Sequence, residues 1–570
     1  RSVVLNDGFV APPRSAAQAW YEPWDENLKE GKLHRSDETP YGDWWNNHQG
    51  AGDQWYDEFY KSPTDYTYNI NLRNILTEYG EMEGCARPDI HGLMVHQITE
   101  TYKKYGGTSY DLTDHEEIIA GYNRFLDKWG FRKSFPTPDH VFRAFGRTCY
   151  ESWQNYMENA RINDALDFAA ISGWESTAIE NHSGLVDNLR NFKSDPKLIG
   201  DTLQPIRPCA KQRALSIELG KPAVFDVFLF NDSHHPATGT LIFSMITPSN
   251  KRIELKTFRA PTNQPPDQFR YLLEEAFTTP PLKEEGIYRF KFALSSEPLA
   301  TQTKGIWVTR KMPGYKAEQI PSRDPHMFAD AIWLSKTVIA ISGITASLRT
   351  QLSVIDGLTL SDFKPGEHYD AIISSGIISH THADGQVGET TGLEAAPPMK
   401  PGHTPEPGEE AQIVALGHLQ TGILDAVRAG TPLLVIPQTD TLSDGVAKEL
   451  AAAGAFTYHG AVGDFRAPWM GNWYFVREHA LFDGLPQNCA LGSFYQCKGR
   501  PSNGLLIDQS PNGDPIEVVV GYSRDHDRNV GAGTFTTRLG KGKLLFHRCP
   551  DFHPVLQQRF LANALRWLAT

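Results

Sequence analysis

The sequence predicts a multidomain α/β plus β protein: a partial (β/α)8 barrel, an immunoglobulin-like β-sandwich and a doubly wound α/β unit, in that order. Three observations carry this prediction. Residues 1–200 alternate short apolar runs with amphipathic helical stretches, the pattern of βα units. Residues 201–312 switch to a period of two, broken by Asn, Pro and Gly turns, the pattern of half-buried antiparallel strands. Residues 335–570 return to α/β alternation, after a Pro-containing linker at 313–334.

In the first unit, SVVLN (2–6), 17–21, NILT (74–77) and DFAAIS (167–172) read as buried strands, with helices near 91–104, 115–130 and 138–161. Only about four strands can be counted, whereas a closed barrel of this type needs eight. The aromatic-dense segment 41–60 (YGDWWNNHQGAGDQWYDEFY) reads as an active-site loop, with Trp45 and His48 as candidate contacts. In the second unit, AVFDVFLF (223–230), GTLIFSMI (239–246) and GIYRFKFA (286–293) read as strands. In the third, strands are expected at 337–341, 369–374, 432–436, 516–520 and 543–546, helices at 411–429, 441–453 and 554–568, and a long Gly/Pro/His-rich loop at 380–410. The aromatics of PWMGNWYFVREHALFDGLP (468–486) suggest an interface.

The chain has 570 residues, 40% of them hydrophobic and 22% charged, which predicts three or four globular domains. No apolar run approaches the roughly 18–20 residues of a membrane helix. A net charge of −13, spread along the chain, would repel a phosphate backbone and argues against nucleic acid as a partner. The 13 Trp and 21 Tyr crowd towards the first 160 residues, where rings among Asp, Asn and His suit sugar faces and hydroxyls, or equally the rim of an aromatic core. Six cysteines show no metal spacing, and Cys489 and Cys497 are close enough in sequence to pair. Arg1 with no signal peptide is not expected to be a natural translation start: either the chain is processed or an N-terminal part is not included.

The sharpest chemical signal is Ile75-Leu76-Thr77-Glu78-Tyr79-Gly80-Glu81, an expected strand that ends in a carboxylate. Barrel enzymes keep their active sites at the carboxyl ends of their strands. Retaining glycosidases use one carboxylate as nucleophile and a second, about 5–5.5 Å away, as acid/base. An acidic strand end is also a common loop cap or ion-pair partner, and on residue logic alone that reading stands beside the catalytic one.

Thr77-Glu78-Tyr79-Gly80 resembles the Ser/Thr-Glu-Phe/Tyr-Gly nucleophile strand, the seventh of the barrel, in glycoside hydrolase family 2, the group of β-galactosidases, β-glucuronidases and β-mannosidases. The resemblance implies that Glu78 is the nucleophile. Ile171-Ser172-Gly173-Trp174-Glu175, then Gly184-Leu185-Val186 and Asp195-Pro196-Lys197, resembles the family's eighth strand and its exit, which implies that Trp174 is the aromatic of the sugar site. Arg1–Gly8 and Ala17–Tyr21 resemble the fifth and sixth strands, placing Asn6, Trp20, Tyr21 and Glu175 around the substrate. For a uronate-bearing sugar, Arg190 and Lys193 are the available cations.

Nothing in the chain corresponds to the fourth strand, where the family carries its acid/base Glu in an Asn-Glu pair. A half barrel would expose sheet edges and an apolar face, so an N-terminal fragment or partner chain is expected to complete it and to supply that Glu, in an oligomeric assembly. The implied activity is that of a retaining exo-β-glycosidase acting on terminal β-linked sugars, without a cofactor. The alternative is a non-catalytic structural or carbohydrate-binding subunit derived from such an enzyme. The sandwich resembles the accessory β-domain of large family members. The last unit resembles flavodoxin-like or class I glutamine-amidotransferase-like domains, but the strand 432–436 leads into Pro437-Gln438-Thr439-Asp440, without the nucleophilic cysteine such enzymes carry. Enzymes of this kind imply a secreted or periplasmic location.

Overall fold

The computed structural model describes residues 44–47, 60–63, 76–82, 87–108, 110–162, 168–171, 174–176, 184–233, 235–262, 268–297, 299–310, 337–355, 357–381, 387–390, 414–462, 472–497, 504–524 and 528–569. The expected strands at 2–6 and 17–21 and the linker at 313–334 lie outside these residues.

The first sheet is parallel and consists of β1 (Trp44–Asn47), β2 (Leu76–Met82) and β3 (Phe168–Ile171), in that order. Strand β1 falls inside the segment expected to be a loop, so Trp45 belongs to a strand. Its Trp-Trp pair is β-favouring, a signal that the neighbouring Asn and Gly residues masked. Among the described residues the parallel strands do not close into a barrel. Between β2 and β3 run α1 (His91–Tyr105), α2 (Tyr110–Lys128) and α3 (Pro138–Ile162), close to the expected positions. Gly130 takes a left-handed conformation (φ 70°), which turns the chain between α2 and α3. No helix of the described residues is long and apolar enough to cross a membrane.

A short helix α4 (Lys197–Thr202) leads into two packed sheets. One holds β4 (Ile206–Gln212), β6 (Val224–Asn231) and β9 (Arg270–Thr278). The other holds β5 (Ser216–Glu218), β7 (Thr240–Ile246), β8 (Arg252–Arg259), β10 (Gly286–Leu294) and β11 (Thr301–Thr309). All pairings are antiparallel except β5 with β11. Phe225, Phe243, Phe290 and Phe292 fill the space between the sheets. Strand β6 is buried on both faces, which explains why Val224–Phe230 is apolar at every position but Asp226, a buried carboxylate paired with Arg213 at 2.7 Å. Helix α3 adjoins this sandwich through buried ions: Glu158 accepts from Arg207 at 2.8 Å and pairs with Lys304 at 2.9 Å.

The C-terminal unit contains β12 (Thr337–Ser342), α5 (Ala346–Ser353), β13 (Leu358–Asp362), β14 (Ala371–Ser374), β15 (Ile377–Thr381), β16 (Val387–Thr390), β17 (Val414–His418), α6 (Ile423–Ala429), β18 (Leu433–Val435), α7 (Asp440–Ala452), β19 (Thr457–Val462), β20 (Asn472–Val476), β21 (Cys489–Ala490), β22 (Gly504–Asp508), β23 (Glu517–Arg524), β24 (Gly531–Leu539), β25 (Gly542–His547) and α8 (Pro554–Ala569). Its main sheet runs β13-β12-β14-β18-β25-β24-β23-β20-β21. The first five strands are parallel and the order reverses beside β12, as in doubly wound sheets; from β25 onward the pairing is antiparallel.

Four expectations are corrected here. The helix expected over 411–429 is a strand, β17, followed by the shorter α6, because Gly417, His418 and Gly422 break the helical pattern and Gly422 sits at φ 91°. The expected loop 380–410 contains β16 and the end of β15, which form a small antiparallel sheet with β17. The aromatics expected to form an interface are internal: Trp473, Tyr474 and Phe475 are 3%, 4% and 0% exposed. Cys489 is a free thiol, so it forms no bridge with Cys497.

Helices α2 and α3 lie on one face of this main sheet rather than in a core of their own. The rings of Phe125, Phe131, Phe135 and Phe145 surround Phe475 of β20, with centroids 5.6, 5.4, 5.5 and 5.9 Å away. Helix α8 covers the opposite face through Phe560, Leu561 and Leu565.

Candidate functional site

Strand β2 is longer than expected and runs through Glu78 to Met82. Glu78 therefore lies within the strand, not beyond its end. Over the described residues its pairing with β1 runs to Tyr79 opposite Asn47, and the register with β3 shifts between Tyr79 and Met82. Glu78 stands opposite Asn46 on one side and Phe168 on the other, in the central strand of the three. The regular register with β3 is thus broken just past the carboxylate-bearing residue, near the carboxyl edge where βα proteins place ligands.

Strand β3 leaves the same edge towards Trp174. The Trp174 carbonyl accepts from the backbone N–H groups of Leu185 and Val186, both at 3.1 Å, and the Ser176 N–H returns a bond to the Val186 carbonyl at 2.9 Å. This clamp fixes the backbone of Trp174 while leaving the residue 47% exposed. Gly184 makes the turn possible at φ 102°.

Beneath the clamp is a buried polar knot that joins the exits of β2 and β3. Lys193, fully buried, donates from Nζ to the Ser176 hydroxyl at 2.8 Å and the Arg87 carbonyl at 3.0 Å, and its Nζ lies 3.2 Å from Asp89 Oδ1. Ser176 donates to Asp89 Oδ1 at 2.8 Å. Tyr150 of α3 donates to the Leu185 carbonyl and accepts from the Lys193 N–H at 3.1 Å. A Cβ on Gly146 would sit 2.3 Å from the Lys193 carbonyl, so only glycine lets α3 approach this loop so closely. Asp187 organises the outer turn by accepting from the N–H groups of Leu189 and Asn191 at 2.9 and 2.8 Å. Burial pushes its carboxyl above the usual range.

The arrangement assigns different parts to the residues singled out in the sequence. Glu78 lies on β2, and Trp174 follows the neighbouring parallel strand β3. Glu175 forms an ion pair with Arg190 at 2.9 Å. The expectation that Lys193 faces a uronate is corrected: its ammonium protons are spent on Asp89, Ser176 and Arg87 inside the protein. The side chains of Glu78 and Trp45 are not among the described groups, and Asn6, Trp20, Tyr21 and His48 lie outside the described residues. Asp89 and Ser176 were missed in the sequence; the available signal was a carboxylate and a hydroxyl each a few residues past a strand end.

No protein-family profile and no curated protein matches the chain. Among solved structures, similar chains include β-glycosidases. The β-glucosidase from Listeria innocua is 13% identical over 18% of this chain and 16% of its own, with a TM-score of 0.14. A calcium-binding mutant of Bacteroides uniformis β-glucuronidase 2 is 14% identical over 30% and 24%, with a TM-score of 0.11. The Pseudomonas fluorescens alkylpurine DNA glycosylase AlkC scores alike, at 14% identity over 20% and 33% and a TM-score of 0.13. Likenesses this slight assign neither fold nor activity.

Proposed function

We propose that this chain carries the nucleophile of a retaining exo-β-glycosidase of the family 2 type, with Glu78 attacking the anomeric carbon and Trp174 stacking on the sugar. The observation that carries the reading is the position of Glu78, on the central strand of a parallel sheet and just before its register with β3 shifts. The exposed, backbone-clamped Trp174 after the adjacent strand adds to it. The buried Asp89–Lys193 pair is self-neutralising and serves as scaffold.

In this reading a Glu of an N-terminal part or partner chain protonates the leaving oxygen as the Glu78 carboxylate forms a glycosyl ester. The same Glu then takes a proton from water, whose oxygen displaces Glu78 from the anomeric carbon. A secreted or periplasmic setting fits such an activity.

The test uses the chain together with any polypeptide that co-purifies with it. An activated 2-fluoro-glycoside should add one sugar mass to the peptide containing Glu78, and Glu78→Gln should lower turnover by about 10³-fold or more. Labelling of another carboxylate, or full activity in Glu78→Gln, defeats the assignment. Absence of any labelling or turnover across β-galactoside, β-glucuronide and β-mannoside probes favours the non-catalytic, carbohydrate-binding subunit.

A further inference from the structure

Away from the strand exits, a groove follows the outer face of α3 where the N-terminal helices, the sandwich and the C-terminal unit meet. It consists of two adjoining cavities of about 530 and 250 Å³ that share Arg147, Glu151, Ser493 and Phe494. Its α3 wall presents His140, Arg143 and Arg147, spaced three and four residues apart and hence on one side of the helix. All three are exposed, and the far end adds the exposed Arg289 of β10. Arg143 has no ion-pair partner among the described residues.

The acidic residue of this wall, Glu151, is already neutralised. It accepts from Arg147 at 2.8 Å and from the Ser493 hydroxyl. Opposite lie the rings of Trp307 and Phe494, 6.0 Å apart between centroids. The Trp307 indole N–H is tied to the Gly484 carbonyl at 3.1 Å, which fixes its ring plane in advance of any ligand. A positive, aromatic-lined groove on a chain of net charge −13 is a local reversal of sign that draws anions to one place and repels them elsewhere.

We propose that this groove binds an anionic oligosaccharide, one whose sugar faces stack on Trp307 and Phe494 while its carboxylates or sulfates meet Arg143 and Arg289. Arginine suits both anions because its planar fork donates two parallel hydrogen bonds. The groove's length, set by two joined cavities, fits several sugar units rather than one. The choice of a sugar over an acidic peptide rests on the glycosidase reading and on the fixed aromatic rings. The groove reaches Ser194, next to the Lys193 knot, so a chain held there lies beside the loop that carries Trp174.

Calorimetric titration of the full chain distinguishes the outcomes. A hexagalacturonate (carboxylate) and a heparin hexasaccharide (sulfate) serve as anionic probes, with neutral xylohexaose and a hexaglutamate peptide as the other arms. At least one anionic sugar should bind, and its affinity should fall at least tenfold in Arg143→Glu and again when salt rises from about 50 to 300 mM. Arg143 is exposed and packs in no core, so circular dichroism of the variant should match the parent. The proposal is overturned if xylohexaose binds as well as the anionic sugars, if Arg143→Glu changes nothing, if no sugar binds, or if hexaglutamate binds more tightly than both. The same titration on Glu78→Gln should give unchanged affinity. Binding here without turnover by the assembly of the chain with its co-purifying polypeptide keeps the groove and sinks only the glycosidase reading; turnover by that assembly without anionic binding does the reverse.

Discussion

Lys193 and Asp89 lie 3.2 Å apart at 0% and 1% exposure, so each is the other's counter-charge inside the protein. Removing one partner of such a pair strands the second charge, at a cost of about 3–5 kcal/mol. Lys193→Met is therefore expected to lower the free energy of unfolding by that amount in chemical denaturation, whereas Lys193→Met with Asp89→Leu should recover much of the loss. A different residue sets a pH response. His547 is fully buried, its Nδ1 2.8 Å from the Thr534 hydroxyl and its ring 4.1 Å from Phe560, and burial pushes its imidazole from 6.5 down to about 3. The unfolded chain takes up the proton first as pH falls. The contribution of His547 is thus intact above pH 6.5 and is lost as pH drops towards 3. Relative to the unionisable His547→Asn, the parent should lose about 1.4 kcal/mol of stability per pH unit across that window.

Among the elements, those with an unambiguous period were legible in the sequence. Helices α1 and α3 and the strands β6, β7 and β10 fall within a residue or two of their expected places, because each combines a steady apolar rhythm with a clear Gly, Pro or Asn boundary. The misreadings share a cause. Strands β1, β16 and β17 are only four or five residues long and sit among Gly, Asn and His, and the partners of β1 and β17 lie across long intervening segments. The extension of β2 past Glu78 likewise depends on β3, far along the chain, and not on its own composition. At the site, Glu78 and Trp174 were legible as motif residues, but the Asp89–Ser176–Lys193 knot was not, since it arises from two loops brought together only by the fold. Strand β20 shows the same limit: its aromatics looked like a surface because their partners are ring residues of α2 and α3. Phe475→Ala should therefore cost about 3–5 kcal/mol. It should also raise amide exchange in α2 and α3 as well as in β20, a spread that a defect confined to the sheet would not produce.

At the scale of the whole molecule, the sandwich is an interruption between two segments that pack on each other. Helices α2 and α3 precede it, the sheet they cover follows it, and buried ions such as Glu158 with Arg207 fasten α3 to the sandwich as well. Ancestry is constrained by this threading. A genetic crossover placed within the sandwich would hand the sheet to a new lineage without the rings that shield it, leaving Phe475 facing water in the hybrid. Relatives of this protein should accordingly have inherited the two segments as a pair, and changes in size at Phe125, Phe131, Phe135 or Phe145 should be answered by opposite changes at Phe475.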